Sequence, residues 1–179
     1  NASNINVDSN ESEKFNTEKR NNIIVDSIYD NKKKFSKTVI YVNTIKHSKD
    51  LYNLFMNRIY EQKNSKKEYF FDFIGYVAGG NDNPERIDNN DYLDKFKNSN
   101  NAIIINTQIL TEGFDDPSID TVAMAVPTGS IVRFIQCIGR AIRNPDVESN
   151  NLQNKPSIIE FTDNLPDVGY RITSGWLFA

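Results

Sequence analysis

This sequence predicts an α/β fold: a mainly parallel central sheet flanked by helices. Three observations carry that expectation. Short β-branched runs recur along the chain, several of them are apolar at every position as strands covered on both faces must be, and segments of helical periodicity separate them. The strands expected are Thr38 to Val42, Phe70 to Val77, Ala102 to Ile105, Thr121 to Val126 and Ser157 to Phe161. Thr38-Val-Ile-Tyr-Val42 and Ala102-Ile-Ile-Ile105 are the plainest, since neither leaves a polar face for water.

Between the strands, Ser48 to Tyr60 sets Leu51, Leu54, Phe55 and Ile59 at helical spacing, and Pro84 to Lys97 does the same with Tyr92, Leu93 and Phe96. A third helix runs from Ile131 to Arg143, with Ser130 as its N-cap and Pro145 just beyond its end. Ahead of the first strand, Glu11 to Tyr29 reads as a helix with Ile23, Ile24, Ile28 and Tyr29 on its apolar side, packing on the sheet or leading in from an upstream domain. Residues 1–34 therefore form a lead-in, 35–162 the main domain, and 163–179, which show no clear period, a truncated C-terminal extension.

Composition narrows the function classes. With 38 % hydrophobic residues, 11 Phe and 8 Tyr in 179 residues, the chain can bury one real core. Its 21 Lys and Arg against 24 Asp and Glu give a net charge of -3, so any surface for a polyanion has to be local. The runs Lys32 to Lys34 and Lys63 to Lys67 fall in expected loops and read as solvated charge. One Cys and one His leave no disulfide framework and no Cys- or His-based metal site, in keeping with a reducing, cytoplasmic setting. Neither Cys137 nor His47 is given a role. No apolar run is long enough to span a bilayer, so a membrane is not an expected partner.

Two polar constellations remain. Gln136, Arg140 and Arg143 stand at i, i+4 and i+7, which confines them to one narrow helix face, while Ile135, Ile138 and Ile142 take another that can bury. Gly139 would let this helix approach a neighbouring backbone. Paired arginines are satisfied by carboxylates or by phosphate oxygens, and spacing alone favours the structural partner. The second constellation, Asn106 to Pro117, follows directly on a buried strand, at the carboxyl end where open α/β sheets bind ligands. Its Thr107, Thr111, Gly113 and Asp115 suit phosphate and ribose contacts, but taken alone a plain turn, with Gly113 for a positive φ and Asp115 and Asp116 as turn and cap residues before Pro117, is the better account.

Taken together and in order, Thr38 to Leu51, Ala102 to Asp115 and Gln136 to Arg143 resemble motifs IV, V and VI of the second RecA-like domain of superfamily-two helicases of the DEAD/DEAH type. The resemblance covers roughly 35 to 161 and is closest to the restriction-enzyme Res-subunit and repair-helicase group, whose motif VI also runs Q-x-x-G-R-x-x-R. Gln136 stands where the DEAD-box group has His, and Cys137 where many RNA helicases have Arg, which argues against an RNA-remodelling role. The resemblance implies a RecA-like three-layer sandwich. It also implies that Arg140 and Arg143 are arginine fingers for the γ-phosphate of ATP, with Gln136 beside them, and that Gly113 and Asp115 meet the nucleotide. Thr107 and Thr111, Asn43 and Thr44 after the first strand, and Gly79 and Gly80 after the second would meet the nucleic-acid backbone, DNA being the expected strand, although a plain turn accounts for the two glycines equally well.

None of the 8 glycines precedes a Lys, so no G-x-x-x-x-G-K phosphate loop is present, and no Asp-Glu pair occurs. On the resemblance the chain is half of an ATPase site: ATP and Mg2+ would be held mainly by an N-terminal RecA-like domain of the same protein, with restriction or repair subunits as further partners. The competing readings are a RecA-like docking module that does not hydrolyse ATP and, more remotely, another α/β nucleotide-binding enzyme.

Overall fold

The computed structural model describes residues 14–63, 70–79, 89–107, 114, 116–142 and 156–161, with backbone alone at 62–63 and 140–142. In chain order the elements are α1 (Glu18–Asp30), β1 (Lys37–Tyr41), α2 (Ile45–Lys63), β2 (Phe73–Ala78), α3 (Asn89–Asn98), β3 (Ala102–Thr107), β4 (Thr121–Met124), α4 (Ile131–Ile142) and β5 (Ser157–Glu160). The five strands form one sheet in the order β2-β3-β1-β4-β5, and all four pairings are parallel. Every strand expected from the sequence is present; β2 begins at Phe73 rather than Phe70, and β4 ends at Met124 rather than Val126.

The sheet is covered on both faces, and alternate residues of each strand serve different layers. Ile40, Ile74, Tyr76, Ile103, Ile105 and Ala123 meet α1 and α2 through Ile24, Val25, Ile28, Leu51 and Phe55. Val39, Tyr41, Val77, Ile104, Val122 and Met124 face the other way, toward Phe96 of α3 and Phe134, Cys137 and Ile138 of α4. This segregation follows from the strand order. The crossover from β1 to β2 runs one way along the sheet and carries α2 on the first face, whereas those from β2 to β3 and from β4 to β5 run the other way and carry α3 and α4 on the second, as a single crossover hand requires.

Register is pinned at the amino edge by carboxylates. Asp120 accepts from the backbone N–H groups of Ser36 (3.1 Å) and Lys37 (3.0 Å), tying the start of β4 to β1. Asp72 accepts from the N–H groups of Asn100 and Asn101 and ties β2 to β3 in the same way. Each is a charge-assisted bond to a strand end whose backbone donors have no ladder partner.

The lead-in helix is part of the packed structure. Thr17 caps α1, its hydroxyl accepting from the Arg20 N–H, and Ile24, Val25 and Ile28 are fully buried. Ile23 is 52 % exposed, so Val25 takes the place the spacing gave to Ile23. The buried guanidinium of Arg20 donates to the carbonyls of Ala125 and Phe161 (2.9 Å), just past β4 and β5, and to that of Phe15. Those carbonyls lie beyond the ladder, and Arg20 supplies the donors they would otherwise lack.

Beside Arg20, a hydrogen-bonded chain joins α1 to α2. A carboxylate can only accept, so Asn16 must donate to Asp50 (2.7 Å); Asn21 then donates to Asn16 Oδ1 (2.7 Å), and Asn21 Oδ1 accepts from His47 Nε2 (2.9 Å). His47 thereby carries a proton on Nε2. Burial and the nearby Arg20 charge push its pKa down to about 4 from 6.5, with Asp50 opposing them. Protons bind the unfolded chain more readily than the folded one, so the stability His47 confers is complete above pH 6.5 and lost as pH falls through about 4. Replacing His47→Gln should flatten the pH dependence of the unfolding free energy in that window by roughly 3 kcal/mol. Urea titrations across it measure this, and equal slopes in parent and variant would show that the imidazole is not held neutral.

Candidate nucleic-acid and nucleotide interface

The carboxyl edge of the sheet gathers four of the residues expected to act. Gly79, just past β2, donates its N–H to the Thr107 carbonyl at 3.2 Å. The Thr107 hydroxyl donates to the Thr44 carbonyl at 3.3 Å, and Thr44 adjoins Asn43. Gly79, Thr107, Thr44 and Asn43 thus form a row across the ends of β2, β3 and β1. Asn89 fixes the near end of that row by bonding both the N–H and the carbonyl of Ala78.

The members differ in what they can offer a ligand. Thr107 is buried at 4 % exposure and its hydroxyl proton is directed at Thr44, so it braces the row. Thr44 caps α2 by accepting from the His47 N–H at 3.1 Å, which uses a lone pair and leaves its O–H free to donate. Asn43 uses its carbonyl oxygen to accept from Arg133 Nη2 at 3.4 Å and keeps both amide hydrogens. Both residues are half-buried.

Helix α4 rises from the same edge. Ser130 is its cap as expected: the Arg133 N–H donates to Ser130 Oγ at 3.3 Å and the Phe134 N–H to its carbonyl at 2.9 Å. The packing face is rotated from the expected one. Ile138 is buried as expected, together with Phe134 and Cys137, whereas Ile135 is 50 % exposed and shares the outer surface with Ile131 and Val132; the Ile142 side chain lies outside the described residues. The bulk and reach of Phe134 decide this rotation, since its ring fills the layer above β4 that Ile135 would have faced. Gln136 is exposed on the outer side. Among the described residues no atom lies within 4 Å of where a Cβ on Gly139 would sit, so none of them makes the close approach expected at that glycine.

Gly80, Thr111, Gly113, Asp115 and Arg143 lie outside the described residues, as do the Arg140 side chain and 163–179. The residues flanking Asp115 are described. Phe114 is buried on the α3 and α4 face, its ring centroid 6.2 Å from that of Phe96. Asp116 forms the expected turn, Oδ1 accepting from the Ser118 N–H at 3.0 Å, and its Oδ2 lies 3.0 Å from Lys37 Nζ at the start of β1. Both side chains of that ion pair are nearly inaccessible, at 4 % and 7 % exposure, and Lys37 also donates to the Lys97 carbonyl. The pair anchors the return of the chain from the carboxyl edge.

Residues 19–145 match the profile of the helicase conserved C-terminal domain. The chain belongs to that family. A Saccharomyces cerevisiae protein named as an ATP-dependent helicase, IRC3, is 39 % identical over 59 residues, a stretch that is 33 % of this chain and 9 % of IRC3. Among solved structures, a fragment described as an HsdR subunit of a type I restriction enzyme from Vibrio vulnificus YJ016 superposes with a TM-score of 0.58 at 19 % identity, covering 79 % of this chain and 27 % of that one. Dbp5 of S. cerevisiae, bound to RNA and ADP BeF3, gives 0.55 at 18 % identity over 82 % and 32 % of the two chains. The Hef helicase domain of Pyrococcus furiosus gives 0.53 at 20 %, over 83 % and 27 %. These likenesses are of fold, RecA-like in each case, and this helicase C-terminal domain spans a minor part of each relative.

Within the helicase C-terminal domain, sequence reasoning missed Lys37, Arg133 and the ion pair made by Asp116, which it read only as a turn residue. That pair was hidden because two charges 79 positions apart give no local pattern. Arg133 left a signal: a cation in the first turn of a helix with no acidic residue there to balance it. Among the described residues no helix is long and apolar enough to cross a membrane.

Two outcomes follow for stability. Lys37→Met should destabilise the domain by about 3 kcal/mol, because it strands a buried carboxylate, and adding Asp116→Asn should recover more than half of that while keeping the Ser118 bond. Urea denaturation of the single and double variants tests it; an unrecovered double variant would mean the loss lies in packing. Gly139→Ala should leave the domain as stable or up to about 1 kcal/mol more so, since the added methyl has open space and a helix interior favours Ala. A lowered melting temperature would place an unseen neighbour against Gly139 inside the domain.

Proposed function

We propose that this chain is the C-terminal motor domain of an ATP-dependent helicase or translocase acting on nucleic acid, with DNA as the expected strand and a cytoplasmic setting. The observation that supports it best is the convergence, on one edge of the sheet, of the row Asn43, Thr44, Thr107 and Gly79, whose first two members keep free donors, with the helix that carries Gln136 and Arg140. Ligands of open parallel sheets bind outside the carboxyl ends of the strands, where neighbouring crossovers part. Here they part between β1, whose chain leaves on one face, and β4, whose chain leaves on the other.

The outer surface of α4 fits a site shared with a second domain. Ile131, Val132 and Ile135 are 45 %, 62 % and 50 % exposed beside the exposed Gln136. Such a surface suits closure against another protein layer, and Gly139 has the open space to receive one. The upstream RecA-like domain is the proposed layer, since Arg20 pins the incoming segment at Phe15 to the same edge. In this reading that domain holds ATP and its magnesium ion, and Arg140 and Arg143 supply positive charge to the phosphoryl group in transfer, with Gln136 beside them and Asp115 and Gly113 toward the nucleotide. Closing and reopening of the cleft then shift one domain's hold on the strand relative to the other's. Thr111 and Gly80 extend the strand contacts of the row, and restriction or repair subunits are the proposed assembly partners.

In the intact protein, Arg140→Ala and Arg143→Ala should each lower the ATPase kcat by a factor on the order of 10³ or more while leaving most nucleotide affinity. The isolated chain should hydrolyse no appreciable ATP. Strand-stimulated phosphate release measures both, and unchanged turnover in the two variants would return the arginines to a structural role.

A further inference from the structure

We infer that Arg133 is a phosphate-contacting residue that continues the donor row beyond Asn43 and grips the backbone of the bound strand. The inference rests on the proposed strand-binding edge and adds to it a charge that motif comparison does not assign.

Three observations converge on this residue. Arg133 Nη2 reaches Asn43 Oδ1 across the gap between the end of β1 and the start of α4, so the guanidinium lies astride the place where the two crossovers part. The contact, at 3.4 Å, is long, and among the described residues no carboxylate pairs with this guanidinium. Most of its donor fork is therefore uncommitted. Its position on the helix is also electrostatically unfavourable. The first turn of α4 has the positive end of the helix dipole and no acidic residue, and a cation there is repelled by unpaired backbone N–H groups. A bound anion would relieve that repulsion and be drawn by the same dipole.

The neighbours decide what kind of anion fits. Thr44 has a free O–H and Asn43 a free amide, so with Arg133 three neighbouring groups each have a donor to offer. A phosphodiester offers acceptors only, which makes the match complementary. Because the row runs from Gly79 through Thr107 to Asn43, Arg133 extends a line along which a strand could lie and is separated by about one helical turn from Gln136.

The test uses the full-length protein and a fluorescently labelled oligodeoxythymidine strand, with affinity measured by anisotropy over a series of salt concentrations. Arg133→Gln should weaken binding about five- to tenfold at physiological salt and reduce the slope of log affinity against log salt by about 0.7, the loss of one phosphate contact to a single strand. Arg133→Lys should recover part of the affinity and the whole slope. The melting temperature should hold or rise, since a cation leaves the positive end of a helix. Parent-like affinity and slope in Arg133→Gln would overturn the inference while leaving the strand-binding edge standing. A raised ATP KM with strand affinity intact would move Arg133 to the nucleotide and overturn it too. A lowered melting temperature without a change of slope would make it a brace for Asn43. If the parent protein binds no strand, the proposed function fails along with it.

Discussion

Everything in this domain hangs on the need to bury a parallel sheet on both faces. Thr38 to Tyr41 and Ala102 to Thr107 are inaccessible at every position, so no strand can turn straight back beside its neighbour, and each must be followed by a crossover that covers one face. Crossovers leave from carboxyl ends. The residues that follow β1, β2, β3 and β4 are consequently delivered to one edge, and a site assembles there from segments that lie far apart in the chain. Asn43 and Arg133, 90 positions apart, meet only for this reason.

The two edges of the sheet are finished differently. At the amino edge, Asp72, Asp120 and the Lys37–Asp116 pair satisfy strand ends internally, and the groups they use are mostly acceptors. At the carboxyl edge, Arg20 takes up the carbonyls of Ala125 and Phe161, while Asn43, Thr44 and Arg133 keep donors to spare. An edge whose carbonyls are consumed and whose remaining groups donate is suited to anions. The chain's net charge of -3 conceals this, because the preference comes from where donors are left over.

The fold was legible because a parallel sheet writes its burial into uninterrupted apolar runs. Ile103, Ile104 and Ile105 need no partner to be recognised as a strand. Helix faces were read less well, because spacing gives periodicity but not phase. Ile135 and Phe134 both fit an apolar stripe on α4, and only the space above β4 selects Phe134; on α1 the same ambiguity put Ile23 where Val25 belongs. Polar residues were hardest. His47 reads as an ordinary helix-start residue until Asn16, Asn21 and Asp50 fix its tautomer, and those partners come from two helices. The row from Gly79 to Asn43 was legible through motif resemblance, whereas the bonds that make it continuous are long-range.

Helix α4 shows how the site's demands differ from those of the fold. Phe134, Cys137 and Ile138 are enough to hold it on the sheet, and a helix needing only that would be polar elsewhere. Instead Ile131, Val132 and Ile135 face outward, Gly139 sits in a helix interior with open space around it, and Arg133 stands at the end of the dipole that repels it. Each choice costs the isolated domain something: exposed apolar area, about 1 kcal/mol of helix propensity, and a few tenths to 1 kcal/mol of dipole repulsion. Apart from the long bond from Arg133 to Asn43, none is repaid by a contact among the described residues of the domain itself. Departures of this kind concentrate where a structure serves a partner, and on α4 they fall on the surfaces turned away from the sheet. On the proposed reading the apolar positions suit a protein layer and the arginine an anion, so that a single helix of 12 residues would answer to two different ligands at once.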